Sequence, residues 1–327
     1  LDEKQLDRVK GSEISYRLSI EPNDINVQSD ALLNYIMYKD ASEYIDRPKL
    51  EEVYYMKISE LTGEIIRASD YEVEVHYVGT RAPEEVAEIL KANLPFKEEL
   101  KKSESPVVQE RITYEKPSIH FLRNADAQQV KLYFYINGSE FKPEDQVLYD
   151  AFYQYFSGGF NGLVMNEIRE NNSMAYTAYG TLVTPPVPGK KAYFMGYVGT
   201  QGDKAADAID LYMKLLKEMP LYPERITNVK TYLKQSYLTD KPSFRSRSQV
   251  FSRWKMLGYT DDPAKVNMEK VNNLTFEQIV DFYNREIKGK SITIIMTVDP
   301  KMINLKQIEA AHGKISNVSA SGLFTKL

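Results

Sequence analysis

The sequence predicts an α+β fold, a layered and largely antiparallel sheet packed with helices, set out in tandem units of about 220 residues of which the first is incomplete. Three observations carry this reading. The 327 residues exceed what one ordinary domain holds. Similar short patterns recur at one spacing: Val9, Leu18 and Pro22 return as Val229, Leu238 and Pro242, and the stretch ending Val78-Gly79-Thr80 is answered by Val298-Asp299-Pro300. Strand-like patterns also cluster apart from helical ones, which favours segregated layers over strict strand-helix alternation.

Residues 1–103 read as the back half of a first unit: helices, then a strand, then a helix. Tyr71, Val73, Val75 and Tyr77 alternate with polar residues, the period-2 pattern of a half-buried strand. Pro83 suits a first helical turn, Glu84 and Glu85 complement its positive end, and Val86, Ile89 and Leu90 share one face. Phe96 to Pro106, rich in Lys, Glu and Ser, reads as a linker.

Residues 104–327 read as one complete unit. Arg111 to Phe121 and Val130 to Ile136 are expected strands, the second alternating Val130, Leu132, Phe134 and Ile136. Pro143, Glu144 and Asp145 open a helix carrying Val147, Leu148, Ala151, Phe152 and Phe156, which Gly158-Gly159 stops. A helix from about Phe160 to Glu170, strands at Met174 to Val183 and Ala192 to Thr200, a helical stretch and a strand from Ser291 to Val298 complete the order. Thr184-Pro-Pro-Val-Pro188-Gly is expected as a stiff loop between strands.

Composition narrows the function classes. A net charge of −4, with no dense basic cluster beside aromatics, gives no footprint for nucleic acid. The mild acidity is compatible with cationic peptides. No cysteine is present, so disulfides, thiol nucleophiles and thiolate metal ligands are ruled out. The longest apolar runs, such as Ile292 to Val298, are far shorter than the ~20 residues a membrane helix needs. The start at Leu1-Asp2-Glu3-Lys4 has no secretion signal pattern, and the truncated first unit predicts further sequence before it. Localisation is open, with a periplasmic or cytoplasmic compartment expected.

The segment Gly158-Gly-Phe-Asn-Gly-Leu-Val-Met-Asn-Glu-Ile-Arg169-Glu170-Asn-Asn-Ser-Met-Ala175-Tyr176-Thr177 resembles the signature of the non-catalytic domains of the pitrilysin/insulinase zinc metallopeptidases, the inverzincins, which include insulin-degrading enzyme and mitochondrial processing peptidase types. Ser173 and Met174 stand where Gly and Leu are more usual. Val75-His-Tyr-Val-Gly79 resembles the closing segment of each family domain. The resemblance implies a C-terminal, non-catalytic half that closes with a zinc-bearing half around peptides. That zinc site uses an inverted His-x-x-Glu-His helix, a motif absent from this chain: His76, His120 and His312 are isolated from one another, and the corresponding helix, Glu144 to Phe156, offers Asp145, Tyr149, Asp150 and Tyr153 but no histidine. Carboxylates scattered on such a helix are ordinarily solvated.

No catalytic residue, metal ligand or cofactor is therefore expected in this chain, and zinc is expected in the missing catalytic half. The residues assigned to substrate binding are Arg169 and Tyr176, which in the family hold substrate backbone across the closed chamber. On the residues alone, the ordinary arrangement pairs Arg169 with a nearby glutamate and packs Tyr176 in the sheet. The implied partners are the zinc-bearing half, in the same polypeptide or a separate subunit, and peptide substrates. A non-proteolytic scaffold subunit of the same fold is the alternative reading.

Overall fold

The computed structural model describes residues 2–94, 97–102 and 108–325. The boundary expected at 103–104 lies outside the described residues, as does part of the expected linker Phe96 to Pro106. Helices α1 (Glu3–Ser15), α2 (Ile25–Tyr38), α3 (Leu50–Tyr55), α4 (Ile58–Ala68) and α5 (Pro83–Asn93) come first. Strands β1 (Ser118–Arg123) and β2 (Val130–Glu140), helix α6 (Gln146–Phe156) and strands β3 (Ala175–Val183) and β4 (Lys191–Thr200) follow. Helices α7 (Ala205–Lys217), α8 (Ile226–Thr239), α9 (Arg247–Met256), α10 (Pro263–Asn273) and α11 (Phe276–Glu286) lead to β5 (Thr293–Val298), α12 (Leu305–His312) and β6 (Ile315–Val318).

The strands form one sheet in the order β3-β4-β2-β5-β1-β6. It is antiparallel from β3 through β4 and β2 to β5, and parallel where β1 joins β5 and β6. The alternation read in β2 holds: Leu132, Phe134 and Ile136 enter the main core with α6, α7 and α11. Their neighbours Tyr133 and Tyr135 are buried too, because α2 lays Ala31, Leu32 and Ile36 on the opposite face of the sheet. Helix α2 is capped by Asp24, which accepts from the Asn26 and Val27 amides. It is tied to the sheet side by Asn124 Nδ2 donating to Gln28 Oε1 (2.9 Å), the Ile112 amide donating to Met37 O (2.7 Å) and Tyr114 Oη donating to Ile36 O (2.8 Å).

Three expectations need correction. Residues 72–78 form no strand among the described residues. Tyr71 alone bridges Lys101, and Tyr71, Val73, Val75 and Tyr77 are left 40%, 49%, 51% and 40% exposed. The matching stretch, β5, is buried at every residue because β2 and β1 flank it; alternation marks a strand's two faces but supplies no neighbour. The 220-residue repeat therefore gains no support from this pair. The strand expected from Arg111 begins only at Ser118, since the Ile112 and Tyr114 amides donate to Met37 O and Asn137 Oδ1 instead of a ladder. The helix expected from Phe160 is a 3-10 turn followed by a π-helical turn at Met165–Glu170. Helix α5 starts on Pro83 as read.

In the main core, Gly180 of β3 and Gly196 of β4 face each other on the ladder, and the Tyr212 ring of α7 lies in the slot they open. A Cβ on Gly180 would sit 2.5 Å from Tyr212 Oη, and one on Gly196 2.7 Å from Tyr212 Cζ. Tyr212 stacks on Phe134 (4.2 Å between centroids) and donates from Oη to the Tyr179 carbonyl (2.8 Å).

On the α2 side, His120 of β1 has a buried Nε2 with no hydrogen-bond partner among the described residues. Burial, then the nearby Lys39 ammonium, pulls its pKa down from 6.5 to about 4.

Two tests follow from this packing. Gly196→Ala should lower unfolding free energy by about 1–3 kcal/mol through overpacking against Tyr212, read from urea denaturation. The folded protein keeps His120 neutral down to about pH 4, while the unfolded chain takes up the proton near 6.5, so this residue costs stability as pH falls through that window. His120→Gln should therefore flatten the fall in urea midpoint between pH 6.5 and 4, with little change at pH 8.

Candidate functional site

The site grows from the end of α6. Ser157 caps that helix, and its Oγ accepts from the Gly180 amide (2.9 Å). Gly159 then takes φ +60, the left-handed region that a side chain disfavours. Gly162 lies so close to the Ser157 backbone that a Cβ would stand 2.6 Å from its carbonyl carbon. With the chain turned back in this way, Leu163, Val164 and Ile168 are driven fully into the core.

Anchoring Ile168 leaves the following residues on the rim. The π-helical turn closes with the Asn171 amide on Asn166 O (2.8 Å), and the exit is fixed by Ser173 N on Arg169 O and Met174 N on Ile168 O, both 2.8 Å. Ser173 has φ +50, which gives a physical reason for glycine being more usual there. Lys204 Nζ donates to Ser173 O (2.9 Å), and Thr200 Oγ1 donates to Met174 O, pinning the turn to the end of β4. Neither residue carries a sequence signal for this role; both act through backbone carbonyls distant in sequence.

β3 enters with a bulge: Ala175 pairs with Thr200 and Thr177 with Gly199, leaving Tyr176 as the extra residue. Bulges re-aim side chains at sheet edges, and Tyr176 is 81% exposed on an edge strand. The Arg169 guanidinium lies 5.3 Å from the Tyr176 ring centroid. Arg169 also pairs through Nε with Glu170 (3.4 Å). Of the ordinary arrangement for these residues, the glutamate pairing is present, whereas Tyr176 does not pack in the sheet. The two residues named from sequence are brought together.

Helix α6, which the resemblance sets in the place of a metal-binding helix, is filled otherwise. In α6, Tyr149 and Phe152 are core residues. Asp150, expected to be solvated, instead accepts from Tyr237 Oη and Gln146 Nε2, and burial raises its pKa. Asp145 pairs with Arg285 (2.7 Å). His76 stands 3.9 Å from Glu74, and His312 meets Asp210 at 2.6 Å. Among the described residues no group of three His, Cys, Asp or Glu side chains could hold a metal ion. These donors do not fit a zinc site. No helix among the described residues is long and apolar enough to cross a membrane. Asn137, the first residue of an Asn-Gly-Ser sequon, is occupied by hydrogen bonds to Tyr114 N and Ile112 O.

The model of the peptidase M16 inactive domain matches residues 74–224. No curated protein matches the chain in sequence. Among solved structures, the peptidase M16 inactive domain from Pseudomonas fluorescens is similar with a TM-score of 0.67 and 16% identity, over 93% of this chain and 72% of that one. The ferredoxin protease FusC, solved in complex with Arabidopsis ferredoxin, gives 0.64 and 8% over 91% of this chain and 32% of its own. The periplasmic protease PqqL from Escherichia coli gives 0.64 and 12% over 96% and 37%. At these identities the structural likeness is one of fold. The segment similar to the peptidase M16 inactive domain, residues 74–224, contains both Arg169 and Tyr176, and the chain as a whole shares the fold of such a domain.

Proposed function

We propose that this chain is the non-catalytic part of a zinc metallopeptidase, enclosing and positioning peptide substrates for hydrolysis at a zinc site in another half or subunit. The observation that carries the reading is the Arg169 and Tyr176 pair, held on the rim by a π-helical turn and a bulged edge strand. A guanidinium offers several fixed donors and a phenol one more, on a rigid ring. Aimed at a substrate carbonyl, such donors bind backbone without regard to sequence and strengthen as negative charge grows on the oxygen.

The structural context supports the assignment. Tyr176 is exposed without a packing role, while the turn beneath it is fixed by Ile168, Ser173 and Thr200, so the phenol is pre-positioned at little cost to the fold. FusC, of the same fold, was solved with a protein bound. Zinc belongs to the partner half in this reading, since α6 here is committed to core and ion pairs.

Two measurements test it. The chain alone, reloaded with zinc after chelation, should hold less than stoichiometric metal by elemental analysis and should not cleave an unfolded peptide. In the assembled peptidase, Arg169→Ala and Tyr176→Phe should each lower kcat/KM by roughly 100- to 1000-fold, with unfolding free energy shifted by no more than about 0.5 kcal/mol. Near-normal turnover by a variant that folds poorly would make both residues structural.

A further inference from the structure

The face of the sheet that α2 covers is only partly covered. Tyr133 of β2, Tyr197 of β4 and Tyr179 of β3 stand side by side on the ladder, Tyr133 opposite Tyr197 and Tyr197 opposite Tyr179. Their rings touch in series: Tyr133 to Tyr197 at 5.2 Å between centroids, and Tyr197 to Tyr179 at 5.3 Å, stacked. Exposure grows along the row, from 8% at Tyr133 beneath α2 to 42% at Tyr179 on the edge strand. An open aromatic shelf therefore begins where α2 ends its cover.

Charge at the shelf is specific. Asp30 precedes Ala31, which packs on the sheet together with Tyr133, and it is exposed at the surface; desolvation raises its carboxyl pKa against the pull of the nearby Lys131 ammonium. Burial first, and the Asp30 carboxylate second, raise the phenol pKa of both Tyr133 and Tyr179. Aromatic faces beside a surface carboxylate suit a cation, which gains from the ring quadrupole and the negative charge together. Elsewhere on these strands the chain uses its own guanidinium groups in this way: Arg111 lies 4.3 Å from the Tyr193 centroid and Arg169 5.3 Å from that of Tyr176.

From these contacts we infer that Tyr179, Tyr197 and Asp30 form a subsite for a basic side chain, arginine or lysine, of an extended peptide lying along β3. The inference rests on the reading of Arg169 and Tyr176 as backbone contacts. Tyr179 follows Tyr176 by three residues of strand, about 10 Å. The basic residue therefore lies roughly three positions from the carbonyl that the pair holds. This gives the chain a selective element beside a sequence-blind one, and places the selection on the edge strand.

The test uses this chain and two fluorescein-labelled, unstructured peptides, identical except for one arginine replaced by norleucine, with binding read by fluorescence anisotropy. The arginine peptide should bind about five- to tenfold more tightly. That ratio should fall toward one in Tyr179→Leu and in Tyr197→Leu, which keep apolar volume on the sheet, and by about half in Asp30→Asn, all checked for an unchanged urea midpoint. Arg169→Ala should weaken both peptides alike and leave the ratio intact. Equal affinity of the two peptides, or a ratio that survives Tyr179→Leu, would overturn the subsite while leaving the backbone contacts standing. A ratio lost in Tyr179→Leu but no effect of Arg169→Ala on either peptide would uphold the subsite and remove the role given to Arg169.

Discussion

Tyr212 in its glycine-floored slot is the contact on which the arrangement of β3 depends. A tyrosine ring can reach the backbone of a sheet only where both facing residues lack a Cβ, and Gly180 with Gly196 meets that condition on adjacent strands. The ring then does two things at once. It fills the core against Phe134, and its hydroxyl satisfies the Tyr179 carbonyl, a backbone group on the outermost strand. An edge strand is ordinarily the least restrained part of a sheet. Here α7 grips it from below, next to the residues proposed to bind substrate.

The same strand is also held at its start. Ile168 is buried, the turn after it is left-handed at Ser173, and Thr200 and Lys204 bind the carbonyls of Met174 and Ser173. Rigid support below and exposed side chains above are what a binding surface requires. The opposite face repeats the division of labour. Helix α2 seals the middle of the sheet with Leu32 and Ile36, and where it stops the tyrosines of β3 and β4 are left available.

Much of this was legible in the chain. The alternation in β2, the proline start of α5 and the glycine stop after α6 are local patterns set by local physics. What escaped depended on distant partners. Helix α2 buries Gln28 and Ser29 beside Ala31 and Leu32, a mixed face whose role emerges only against the sheet. The short edge strand β6 buries no residue fully and so lacks a clear pattern. Residues 71–78 have strand periodicity without a strand's neighbours, and the π-helical turn arises from how Ile168 must reach the core. The arginine and tyrosine were singled out because the segment that carries them resembles the signature of the family's non-catalytic domains. The turn that presents them was not.

The exposed stretch from Tyr71 to Val78 has a consequence for how the chain behaves in company. A largely exposed, apolar, period-2 segment invites pairing with another copy, the first step toward fibrous association. Glu72 and Glu74 occupy the alternate positions, and both are exposed. If two such segments were to stack in register, their carboxylates would lie in rows of like charge about 4.8 Å apart, a repulsion that opposes growth. Like charge at these two positions would thus oppose in-register self-association, an effect that high salt screens.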